Sequence, residues 1–169
     1  IEDSRAGGGS FGDQKLHLTG GWKVVAELPN WLSLSNQIVM HPDGPRQIYF
    51  TEAVLYHKQT GEVHKPAELF QSDDAFNAAV TPRYCAMLAP ALAKQSERAD
   101  EVWECPRAGD QAVMLGSSNG ETFNRLAVGR PEVRRNRGEE ESAVLVLNID
   151  AAILKAVKPE YAKDFAIAR

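Results

Sequence analysis

Between Trp22 and Pro66 the β-branched and aromatic residues fall in short runs separated by turn-forming residues, which confines that part of the chain to antiparallel sheet. Residues 22–28 form one such run and residues 37–41 a second. Residues 46–57 form a longer one, marked by Tyr49, Phe50, Val54, Leu55 and Tyr56. Gln59-Thr60-Gly61-Glu62 reads as a tight turn into a short return strand ending at Lys65-Pro66.

The pattern then changes. Thr81 suits an N-cap and Pro82 the first helical position, so a helix is predicted from there through Tyr84, Leu88 and Leu92 towards Arg98, kinked by Pro90. Strands are predicted at 101–105, 111–115 and 122–128, the last two joined through the hairpin signal Asn119-Gly120. A buried strand at 143–147 leads into a second helix, capped by Asn148 or Asp150 and running to Lys158 before Pro159. The expected fold class is α+β, mainly antiparallel sheet with two helices packed on one face. Residues 1–13, rich in Gly and Ser, read as a flexible tail, 14–131 as an α+β domain, and 132–142 as a charged connector. Residues 143–169 read as a strand–helix extension or the start of a second unit. With Ile1 first and no methionine before Met40, the chain reads as a fragment or a processed product.

A length of 169 residues is enough to bury a core without staples. The formal net charge of −4 argues against a general nucleic-acid glue, although charge sorted between two faces would still cancel in the sum. No apolar run reaches the ~18–20 residues that span a bilayer, so no membrane association is expected. Cys85 and Cys105 match no zinc spacing and read as two buried thiols, a disulfide being the alternative. That reading favours a reducing, cytoplasmic home.

Chemistry-bearing motifs are few. Gly-x-Ser-x-Gly, His-Glu-x-x-His and paired Cys-x-x-Cys are absent, and the glycines between Gly7 and Gly12 lack the Gly-Lys-Ser/Thr ending of a phosphate loop. His17-Leu18-Thr19 has the His-x-Thr form of a class of phosphoesterases, in which two such motifs set one imidazole as base and the other as acid, but no second copy occurs. His57 and His64 could face one another across the turn at Gly61 with Glu52 or Glu62 nearby; surface or strand-end histidines are the plainer reading. No two of His17, His41, His57 and His64 are expected to share a cleft with a carboxylate. No catalytic residue, metal site or cofactor is assigned. Arg130, Arg134, Arg135 and Arg137, followed by Glu139, Glu140 and Glu141, read as a solvated connector. On the first helix Arg83, Lys94 and Arg98 fall within about 60° of arc, opposite Tyr84, Leu88 and Leu92. On the second, Lys155 and Lys158 separate from Ile149, Ile153 and Val157 in the same way.

The stretch Asn77 to Pro131 resembles the second half of a domain of the bacterial-type DNA sliding clamps. It opens on Val80-Thr81-Pro82-Arg83-Tyr84 at the helix start, continues through a charged strand, an apolar strand, a turn and a further strand, and is followed by a new strand–helix opening at 144–158. Residues before Phe76 depart from the family's opening strand and helix. The resemblance implies a non-catalytic protein of DNA replication that contacts duplex phosphates through Arg83, Lys94, Arg98, Lys155 and Lys158, with a homo-oligomeric ring open to it. The alternatives are a protein-binding or inhibitor module acting through its sheet surface, and a histidine-dependent phosphoesterase.

Overall fold

A computed structural model describes residues 17–41, 48–99, 104–129 and 144–168. Its first sheet holds five strands: β1 (His17–Thr19), β2 (Trp22–Glu27), β3 (Trp31–His41), β4 (Ile48–His57) and β5 (Val63–His64). β1 and β2 both pair with one side of β3, β4 pairs with its other side, and β5 adds to β4, every pairing antiparallel. The tight turn expected at 59–62 is the β4–β5 connection. Gly61 sits at φ 76°, where a side chain would be strained, its N–H donates to His57 O, and His57 N–H donates to Glu62 O. Trp31 pairs with His57, Ser33 with Leu55 and Ser35 with Ala53, which puts these residues on one face. A bulge at Val25 returns Ala26 to that face, opposite Ser33. It is the buried face: Trp31, Ser33 and Leu55 are at most 1% exposed.

The second sheet is an antiparallel meander of β6 (Val113–Gly116), β7 (Arg125–Gly129) and β8 (Val144–Asn148). The turn at Asn119-Gly120 lies between β6 and β7 as expected, with Gly120 at φ 73°. It is wider than a two-residue hairpin. Asn119 Oδ1 accepts from the N–H groups of Glu121 and Thr122, and the buried Asn124 binds both the N–H and the hydroxyl of Ser118. The strand expected at 101–105 is not found at Glu104 and Cys105, which are irregular; 101–103 lie outside the described residues.

Helix α1 spans Asp73–Ala99, so it begins well before the predicted start at Thr81-Pro82. Ser72 accepts the Ala75 N–H through its hydroxyl, and Asp73 and Asp74 place negative charge in the first turn, so a complete start signal lies upstream. Thr81 is a clamp and not a cap: its hydroxyl donates to Asn77 Oδ1 and accepts from Ala108 N–H. Both Pro82 and Pro90 are inside the helix, at exposed positions. They are tolerated because Phe76, Val80, Tyr84, Leu88 and Leu92 recur every fourth residue and are all buried. Each such burial contributes about 1.5–3 kcal/mol, against about 3 kcal/mol for an interior proline.

Cys85 and Cys105 are joined in a disulfide, which corrects the expectation of two free thiols. Helix α1 brings Cys85 to the side where the chain returns towards β6, and the Cα atoms are 5.7 Å apart.

β8 completes the second sheet, and α2 (Ala151–Ala156) follows it, its Asp150 N-cap accepting from Ile153 N–H. Ile149, Ile153, Val157 and Phe165 enter the same core as Tyr84, Leu115, Phe123 and Leu126. The described part of 143–169 therefore packs into the same core as the strands and helix before it. The 1–13 tail and the 132–142 connector lie outside the described residues. Helix α1 lies against both α2 and β8. Gln71, just before α1, binds the carbonyl of Lys155, while Arg83 binds Asp150, so α2 runs antiparallel to the first half of α1. The molecule is α+β with antiparallel sheets.

Candidate functional site

Arg83, the first of the basic residues singled out, is committed within the molecule. Its Nη1 lies 2.6 Å from Asp150 Oδ2 and 3.0 Å from Asn148 O, fastening α1 to the start of α2. Asp150 uses its other oxygen to cap Ile153, so one carboxylate serves both helices. Lys155 is exposed near the far end of α2. Lys158 is half-buried beyond it, and its N–H donates to Leu69 O. Arg83 and Lys155 thus sit at opposite ends of the short helix. Lys94 and Arg98 lie on α1, but their side chains are outside the description, and the arginine run 130–137 lies outside the described residues altogether.

Two of the histidines come to the same tryptophan across the Gly61 turn. His57 and His64 both pack edge-on against Trp31, with ring centroids 4.6 and 5.7 Å away. His64 lies between carboxylates, 3.8 Å from Glu62 and 3.6 Å from Glu68. Across the turn, Thr60 N–H donates to His57 Nδ1, and the Thr60 hydroxyl donates to Glu62. Nearly all of these polar contacts fall within or beside the β4–β5 turn, so the cluster fastens that turn. Among the described residues no three His, Cys, Asp or Glu side chains are grouped closely enough to hold a metal. His17 and His41 are directly paired positions of β1 and β3; their side chains are not described.

The most distinctive surface is the other face of the first sheet. The pairings Trp22 with Asn36, Val24 with Leu34, Ile38 with Phe50, Leu32 with Tyr56, and Tyr56 with Val63 put these residues on one side. Trp22, Val24, Phe50, Tyr56 and Val63 are all among the exposed large hydrophobic residues, at 52%, 61%, 45%, 38% and 63%. A groove of about 520 Å³ adjoins this face. It is lined by Trp22, Glu52 and Val54 from the sheet, by Lys65 and Pro66 after β5, and by Ala112 and Val113 at the start of β6. Its walls are mostly apolar, with Glu52 and Lys65 as the charged groups.

Alternation along β3 misleads about this surface. Leu32, Ser33, Leu34 and Ser35 would by polarity alone turn the leucines inward, yet Ser33 is buried while Leu32 and Leu34 are only partly so. Trp31 and Leu55 decide the register, because burying a Trp and a Leu on one face outweighs burying two leucines on the other. Small side chains at Ser33 and Ala26 suit the close approach of another strand, and β6 lies against β2, β3 and β4. Even so, the Ser33 hydroxyl and the Trp31 indole N–H are buried with no hydrogen-bond partner among the described residues.

No helix among the described residues is long and apolar enough to cross a membrane. No protein-family model matches the chain, and no curated protein matches it.

Proposed function

We propose that this domain is a binding module that engages another protein chain through the exposed face of its first sheet. The observation that carries the reading is the gathering of Trp22, Val24, Phe50, Tyr56 and Val63 on one register face. Aromatic residues in such a patch supply large contact area at low entropic cost, which is what the centre of an interface requires. The Cys85–Cys105 bond argues for an oxidising compartment in place of the cytoplasm expected from the sequence. The test is site-specific photocrosslinking in the producing cells, with the crosslinker at Val24 or Val63 and, as a control, at Met87 on α1. Discrete adducts from the sheet positions alone support the reading; equal or no adducts from all three would sink it.

A DNA-facing helix pair of sliding-clamp type is the second reading, favoured by the side-by-side packing of α1 and α2. The engagement of Arg83 with Asp150 weakens it. It requires binding of linear or circular duplex at low salt that falls steeply as salt rises and that Lys155→Glu reduces. Absence of low-salt binding would remove it.

A further inference from the structure

The 520 Å³ groove lies where the edges of both sheets come together. β5 covers only Leu55 and Tyr56 of β4 and then leaves, because Pro66 has no N–H to continue the ladder and starts a short 3-10 turn. His57 bonds Glu62 and Gly61 on the β5 side, so in an antiparallel ladder Leu55, Ala53 and Thr51 direct their N–H and C=O the same way. At Leu55 these groups meet β5. At Ala53 and Thr51 they meet no strand among the described residues, and Ala53 lines the groove. Another wall is the start of β6, the edge strand of the second sheet. Ala112 O accepts from Gly129 N–H on the β7 side, so Val113 turns its own N–H and C=O away from β7, again towards no strand among the described residues. Two walls of the groove thus carry spare main-chain donors and acceptors, and Val54, Pro66, Ala112 and Val113 give it apolar lining.

That combination selects the occupant. A small apolar ligand would bury those main-chain groups without partners. An extended backbone supplies one N–H and one C=O per residue to the edge, and its alternate side chains meet the apolar lining. Charge then constrains its sequence. Glu52 is exposed and has no ion-pair partner among the described residues, so a basic residue opposite it completes a cross-strand pair. Lys65 stands exposed at the end where β5 departs and disfavours a positive chain end there. We infer that the groove takes a short extended segment of the partner protein, added antiparallel to β4 in the lane that β5 vacates. Apolar residues of that segment lie opposite Ala53 and Thr51, and a basic residue lies opposite Glu52. The inference rests on the protein-binding reading and specifies which kind of segment the partner presents.

The probe is the peptide acetyl-Val-Lys-Val-Thr-Thr-amide, whose first Val falls opposite Ala53 and whose Lys falls opposite Glu52. Added in excess to the purified, disulfide-intact chain, it should slow hydrogen exchange at the Ala53 and Thr51 amides at least about tenfold, as expected for amides newly paired in a ladder. Exchange at Leu126 in β7 should not change. N-methylation of the peptide's first Val deletes the N–H that donates to Ala53 O and should abolish the protection. Replacing the peptide's Lys by Glu should weaken binding about two- to fivefold, and Glu52→Lys, at an exposed position, should reverse the order of the two peptides. Ala53→Pro removes the edge donor and should lose binding; if it unfolds the chain, the N-methylated peptide and the charge reversal still decide the matter. Absence of protection at millimolar peptide overturns the inference, as does a peptide order that Glu52→Lys leaves unchanged. Protection at Ala53 in the isolated chain also overturns it, because the edge would then be filled from within. A chain that ignores the peptide yet gives adducts at Val24 and Val63 loses the inserted segment and keeps the binding module. A chain with neither loses both.

Discussion

Breaking the Cys85–Cys105 bond should destabilise the domain without changing its fold. Three polar contacts hold the returning segment on α1 independently: Ala108 N–H to the Thr81 hydroxyl, Gly109 N–H to Asn77 Oδ1, and Arg107 to Asp74. The native arrangement therefore survives loss of the cross-link, and the cost falls on the unfolded state. The cysteines are 20 residues apart, and freeing a loop of that length returns about 3 kcal/mol of chain entropy to the denatured ensemble. For a domain of this size that lowers Tm by about 6–12 °C. It lowers the urea midpoint by about 1.5 M if the slope is about 2 kcal/mol/M. The assay is urea and thermal denaturation of wild type with and without reductant, beside Cys85→Ala/Cys105→Ala. Reduced wild type and the double variant should coincide, and reductant should leave the double variant unmoved. A loss under about 1 kcal/mol in the double variant, below the usual range for a native disulfide, would refute the entropic reasoning.

Five further substitutions probe the fold. Tyr84→Phe deletes the donor that reaches Gly129 O at 2.7 Å inside the core, and should cost about 1–3 kcal/mol in urea denaturation because a buried carbonyl loses its bond. Asp150→Ala removes both the cap on Ile153 and the pair with Arg83, so it should cost about 1–2 kcal/mol. Arg83→Ala should cost less than about 1 kcal/mol because that pair is partly solvated, and the reverse order would show the cap to be unimportant. Ser33→Leu should lose about 1–3 kcal/mol by overpacking the buried face, whereas Leu34→Ser, on the outer face, should lose less; the opposite ranking would mean the register of β3 is wrong.

The fold class was legible because it rests on local chemistry. Runs of strand formers, the Gly61 and Gly120 turns, and the apolar stripe through Tyr84, Leu88 and Leu92 each act within a few residues. The start of α1 was legible too, in Ser72 with Asp73 and Asp74. The Thr81-Pro82 pair imitated a start because a threonine before a proline has the chemistry of one, and only the docking of Ala108 on Thr81 shows its other use. The disulfide was not legible, since two cysteines without a motif can be free or joined, and the return of the chain past α1 decides between them.

The candidate site depended on tertiary structure almost entirely. Trp22, Val24, Phe50, Tyr56 and Val63 come from three strands and share a face only through the register, including the bulge at Val25. Sequence fixes which residues prefer strands, because that preference is a property of each side chain and its neighbours. Which side of a strand meets water is a competition between whole faces. Here Trp31 and Leu55, held against Phe123 and the core beneath, drew Ser33 inward and left the leucines and aromatics of the opposite face outside.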